Sequence, residues 1–176
     1  RDFQSRSAEL RMYQQARSLL QEHPAHDSRS MQLELARTYN LLGASVVEPN
    51  NETQAIYEDF FGILKKQPEF QKRVLQRQSD QRERIKNNPR IQDRVLGNLD
   101  RAILITEKLL KKDSEDQEAR LVHAISLRSK AMLLDRETES QQIEELLQTT
   151  MTDFDKLSQQ DETAQYDYER AFTYAL

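Results

Sequence analysis

Apolar residues recur every three to four positions along most of the chain, which is the spacing of one helix face. The clearest instance runs from Met31 to Phe70, where Leu35, Tyr39, Leu42 and Val46 form one stripe and Ile56, Phe60, Ile63 and Leu64 form a second. Pro49, Asn50 and Asn51 separate them, so the stretch predicts a helical hairpin. A hairpin alone leaves apolar surface uncovered and needs further helices to stack on it. Upstream, Phe3, Leu10, Tyr13, Ala16, Leu19 and Leu20 predict a helix over Asp2 to Glu22, ending near His23-Pro24, with Ser28 starting the next. Downstream of Pro68 the pattern thins, and Ile85 is the one apolar residue between Gln76 and Pro89. That segment is read as a helix with a solvated second half, the alternative for 76–89 being a linker. After Pro89, the stripe Ile91, Val95, Leu99, Ala102, Ile103, Leu109 and Leu110 predicts a long buried helix through Lys112. Ser114 with Gln117 and Thr138 with Gln141 read as capping boxes for two more. The first of these offers Ala119, Val122, Ala124, Ile125, Leu127 and Met132, the second Ile143, Leu147, Phe154 and Leu157. Asp161 caps a last helix bearing Ala164, Tyr168, Ala171, Phe172 and Leu176.

Four of these helices close on an apolar residue followed four positions later by a turn or capping residue: Leu20, Leu64, Leu110 and Leu157. The intervals are 44, 46 and 47 residues. Each holds two helices, so the chain is expected to be all-α, with antiparallel hairpins stacked as an α-solenoid of about eight helices. Residues 1–176 are read as a single helical-repeat domain. Because the chain opens on Arg1 and stops within a periodic pattern, it is expected to be a fragment of a larger protein.

The Met31–Phe70 stretch resembles a tetratricopeptide repeat. Tyr39, Leu42-Gly43, Val46, Ala55, Phe60, Gly62 and Pro68 carry the likeness, with the aromatic and the proline one position late. It covers one good repeat at about 36–69, and the remaining pairs diverge from it. The wording around Leu35 to Gly43 is also similar to helical regions attached to bacterial signalling proteins, including some serine/threonine kinases. The resemblance implies a stack of hairpins whose first helices line a groove for an extended peptide. Carried over from Leu42-Gly43, the groove positions are Arg37, Asn40, Ala44 and Val47.

Composition agrees with a helical chain: there are only three glycines and four prolines, and 32% of residues are charged. No apolar run reaches the ~20 residues of a membrane span. The absence of cysteine removes disulfides, thiolate metal sites and a cysteine nucleophile. The compartment stays open between cytoplasm and periplasm, the former favoured. The net charge of −4 is unevenly distributed. Nine basic residues face five acids between Glu69 and Arg101, and eleven acids face three bases from Asp135 onward.

The basic run gives a candidate patch of Lys72, Arg73, Arg77, Arg82, Arg84 and Lys86. Phe70 is its one nearby aromatic, so a solvated helix face is preferred over a nucleic-acid site. Docking of this run on an acidic segment such as Asp153 to Glu169, within the chain or between copies, is a further alternative and would make a homo-oligomer. His23, His26 and Asp27 are read as a polar turn, and His123 as a boundary residue. The acid pairs Glu144-Glu145, Asp153-Asp155 and Asp167-Glu169 are read as solvent faces. No catalytic set, cofactor motif or metal site is named. The expected function is a non-catalytic protein- or peptide-binding, regulatory module or scaffold, with a nucleic-acid-binding domain as runner-up.

Overall fold

A computed structural model describes residues 2–44, 76, 80, 82–160, 166, 169, 170 and 173. Among the described residues all regular structure is helical. Five helices are traced: α1 (Asp2–Glu22), α2 (Arg29–Ala44), α3 (Pro89–Lys112), α4 (Gln117–Ala131) and α5 (Ser140–Gln160). Residues 82–86 are helical too, which favours helix over linker in that part of 76–89. The second helix of the expected Met31–Phe70 hairpin lies outside the described residues.

Local chemistry fixes most helix ends where the pattern placed them. α1 stops before Pro24, and Ser28 opens α2 by accepting at its carbonyl from the Gln32 amide. Asn88 caps α3 by accepting from the Ile91 amide at 3.3 Å, with Pro89 at the first helical position, where its missing N–H costs nothing. One cap is corrected. Ser114 does not cap α4; its hydroxyl turns to Glu115, and Asp116 accepts from the Ala119 amide at 3.0 Å instead. The reason is long-range, because Arg29 of α2 holds both oxygens of Asp116 in place. Thr138 likewise sits in a turn, and α5 begins at Ser140.

Antiparallel packing joins α2 to α3: Gly43 and Ala44 meet Val95 and Leu99 at one end, and Leu33 meets Leu109 at the other. An alanine methyl at Gly43 would lie 2.6 Å from Leu99, so the missing side chain sets how closely these helices approach. Gly43 thus lets α2 approach a helix that begins 45 residues beyond its own end. α3 and α4 form a hairpin in which the Gln92 side chain donates to the Leu133 carbonyl at 3.2 Å.

α2 and α4 run parallel. Arg29 at the start of α2 binds Asp116, the residue before α4, and Ala44 at the end of α2 shares a cluster with Met132 and Leu133 just beyond α4. α5 covers the opposite side of α4, seating Phe154 and Leu157 on Ala124. α4 is therefore enclosed by three helices, and ten of its fifteen residues are buried, which is why its sequence lacks a single apolar stripe. Hydroxyls in the interior bond back to their own helix: Thr106 to the Ala102 carbonyl, Ser126 to Val122 and Thr150 to Leu146.

Candidate functional site

Two features outside simple apolar packing stand out, a buried polar string along α4 and a cleft at its C-terminal end. The string starts at the surface. Arg29 clamps Asp116 through two bonds of 2.8 and 2.7 Å and reaches Glu118 at 3.1 Å. Arg37 binds the other oxygen of Glu118 at 2.8 Å, and Glu34 as well. The arginine bonds hold the Asp116 and Glu118 carboxyls below the usual carboxylate range, against the opposing effect of burial. Arg29 is raised in turn by its bonds to Asp116 and Glu118. Burial of Arg37 works to lower its value and is outweighed by its bonds to Glu118 and Glu34, so it too is raised.

One turn further on, Arg120 donates to one oxygen of Asp153 at 2.9 Å and to the Ser114 carbonyl, and His123 Nδ1 lies 2.6 Å from the other oxygen. All three residues are buried. His123 Nε2 is enclosed and has no hydrogen-bond partner among the described residues. A histidine oriented by a carboxylate is one half of a base, and its working half would need a reacting group at Nε2. Neither His123 nor Asp153 lines the cleft. Two turns beyond, Arg128 pairs with Glu169 at 2.5 Å, and its guanidinium stands 5.6 Å from the centre of the Phe154 ring.

Two sequence readings are corrected here. Asp153 and Glu169 were expected on solvent faces, but each is at most 5% exposed, because an arginine of α4 neutralises it. His123 is an interior residue. Asp155 is half-buried and pairs with Arg170, whereas Glu144 and Glu145 are exposed as expected. His23, His26 and Asp27 form an exposed turn in which His23 Nδ1 accepts from the Ala25 amide.

The groove positions implied by the family resemblance fall differently from one another. Arg37 is half-buried and engaged by Glu34 and Glu118. Asn40 is buried, its Oδ1 without a hydrogen-bond partner among the described residues, and Ala44 belongs to the cluster with Val95 and Leu99. Val47 lies outside the described residues.

The cleft has room for about 120 Å³. Ala131, Met132 and Leu134 at the end of α4 and Ile143 and Leu147 of α5 line it. Arg82, Glu83, Lys86 and Arg136 complete the lining. Of the expected basic patch, Arg82 and Lys86 therefore meet at one place, while Arg84 is exposed and Lys72, Arg73 and Arg77 lie outside the described residues. Arg136, 50 residues further along than Lys86, was not legible as their neighbour.

No cluster of three or more metal-capable side chains occurs among the described residues. No helix among them is long and apolar enough to cross a membrane. The chain matches no protein-family model, and searches against curated proteins and solved structures return no similar protein.

Proposed function

We propose that the chain is a non-catalytic, tetratricopeptide-like helical-repeat module that binds a protein partner. The observation that carries this reading is the relation of successive pairs. α2 and α4 lie side by side in the same direction, and α3, which lies between them in the chain, packs against both. Beyond α5, Glu169 meets Arg128 of α4, as Asp116 at the start of α4 meets Arg29 of α2. A third pair in the same relation accounts for these contacts. Three of the four repeat marks, Leu20, Leu110 and Leu157, fall in the last turns of α1, α3 and α5. The step between marks then corresponds to one hairpin, and the fourth mark, Leu64, lies outside the described residues.

On this reading α4 and its arginines keep the hairpins in register and perform no chemistry, and the cleft beside α5 is the place for a partner. Charge-driven self-association is weakened as an alternative, because Asp153, Asp155 and Glu169 already pair within the chain. The test is a selection of random dodecapeptides displayed on phage against the whole chain, with sedimentation at low and high salt alongside. Peptide ligands of a monomer are expected. Failure to select any ligand, or a hydrolytic turnover lost on changing Asp153, would overturn the proposal.

A further inference from the structure

The outer face of α3, turned away from α2 and α4, carries an ordered charge pattern of which the helix packing uses only a part. Residues seven apart return to nearly the same side of a helix, and residues three or four apart stand beside them. Arg90, Gly97, Leu104 and Lys111 therefore form a midline along α3. Asp93, Asp100 and Glu107 run along one side of it, toward α4, where Asp100 accepts from Lys130 at 2.6 Å. Arg94, Arg101 and Lys108 run along the other, toward α2, where the Arg101 guanidinium stands 5.5 Å from the centre of the Tyr39 ring. All of these residues are exposed except Glu107, which is half-buried. Asp93, Arg94, Glu107 and Lys108 make no hydrogen bond or ion pair among the described residues. Leu104 is 51% exposed, and a methyl at Gly97 would meet no described atom of another element or side chain within 4 Å. The midline thus offers one apolar knob and one bare stretch of backbone.

We infer that this face is an interface between two copies of the chain, their α3 helices side by side and parallel about a two-fold axis. A two-fold contact must be self-complementary, and the two rows make it so in one direction only. Antiparallel, each row would meet its own kind. Parallel, the acidic row of each copy meets the basic row of the other, with Asp93, Asp100 and Glu107 opposite Arg94, Arg101 and Lys108 on both sides of the axis. At the centre Gly97 lets the helices approach closely, and Leu104 meets its counterpart. Arg90 and Lys111 face their own counterparts at the two ends, where their long side chains turn outward into water and shorten the seam. The face from Arg90 to Lys111 is about 31 Å long. Paired, it buries on the order of 1,000 Å², below the standard size of a stable complex. The copies therefore pair weakly, with a Kd of about 10–100 µM, and are monomers in sub-micromolar solution. Asp153, Asp155 and Glu169, which are paired inside the chain, take no part.

The test is sedimentation of the whole chain from about 1 to about 300 µM, where a dimer is expected to build up with concentration and to weaken as salt rises from about 50 to about 300 mM. Arg94→Glu with Lys108→Glu sets acid against acid, and Asp93→Lys with Glu107→Lys sets base against base, so each double variant alone should stay monomeric. An equal mixture of the two again sets opposite charges across every pair and should restore the dimer. The four side chains have no partner to lose among the described residues, and circular dichroism checks that both variants fold. Leu104→Ala should weaken pairing about tenfold. The chain has no cysteine, so direction can be read by cross-linking. Gly97→Cys should form a disulfide dimer on oxidation, since only parallel helices bring the two positions within the reach of about 7 Å that the bond requires. A mixture of Arg90→Cys and Lys111→Cys should not cross-link. A monomer at every concentration, a dimer indifferent to both double variants, a mixture that stays monomeric, or cross-linking of position 90 to 111 would overturn the inference.

Discussion

Two glycines on helices of this chain have opposite meanings. Gly43 is pressed against Leu99, which is fully buried and has nowhere to move, so Gly43→Ala is expected to destabilise the protein by about 1–3 kcal/mol in urea unfolding. A methyl added at Gly97 would meet no described atom of another element or side chain within 4 Å, and Gly97→Ala should stabilise by about 0.5–1 kcal/mol through backbone entropy alone. Asp116 has two roles that can be separated. Asp116→Asn keeps a capping oxygen for the Ala119 amide but loses the charge that Arg29 clamps, whereas Asp116→Ala loses both and should cost about 1 kcal/mol more. The acid dependence follows in sign. Because folding lowers the Asp116 and Glu118 values, their contribution is complete above the unfolded-state values of about 4 and is lost as pH falls through the lower folded ones. Calorimetric melts of Asp116→Asn/Glu118→Gln should therefore fall less steeply than those of the native chain below about pH 4.

At the scale of helices, the Arg128–Glu169 pair is the strongest link between α4 and the residues after α5. Both side chains are at most 5% exposed, so removing either partner strands a buried charge. Arg128→Met and Glu169→Leu are each expected to cost about 3–5 kcal/mol singly, and the double variant much less than their sum, as a double-mutant cycle would measure. This scale also marks what the sequence could reveal. α1 and α3 were legible to within a residue because Pro24 and Pro89 punctuate them and their stripes face one side. The α2–α3 contact was not, since the signal is a missing methyl at Gly43 whose partner follows more than fifty residues later. The burial of Arg120, His123, Asp153 and Glu169 was equally hidden: isolated from their partners, charged residues on a helix read as a solvated face. Spacing offered one overlooked clue, for Arg120, Ala124 and Arg128 lie four apart, on one side of a helix that is otherwise small and apolar.

For the molecule as a whole, the enclosure of α4 by α2, α3 and α5 makes it the central rod of the described structure. Its amides from Val122 to Leu127 are expected to exchange hydrogen most slowly, while those of α1, which touches α2 on one side and leaves Met12 and Leu19 exposed, should exchange much faster. Mass spectrometry of exchanged peptides would rank them. The inward-turned hydroxyls have a different consequence. Because Thr106, Ser126 and Thr150 satisfy themselves on their own helix carbonyls, replacing one leaves no neighbouring helix with an orphaned group. Ser126→Ala should be close to neutral. A fold whose interior hydroxyls answer to their own helix, and whose register depends on a few arginines and one absent methyl, can exchange many of its residues without changing shape.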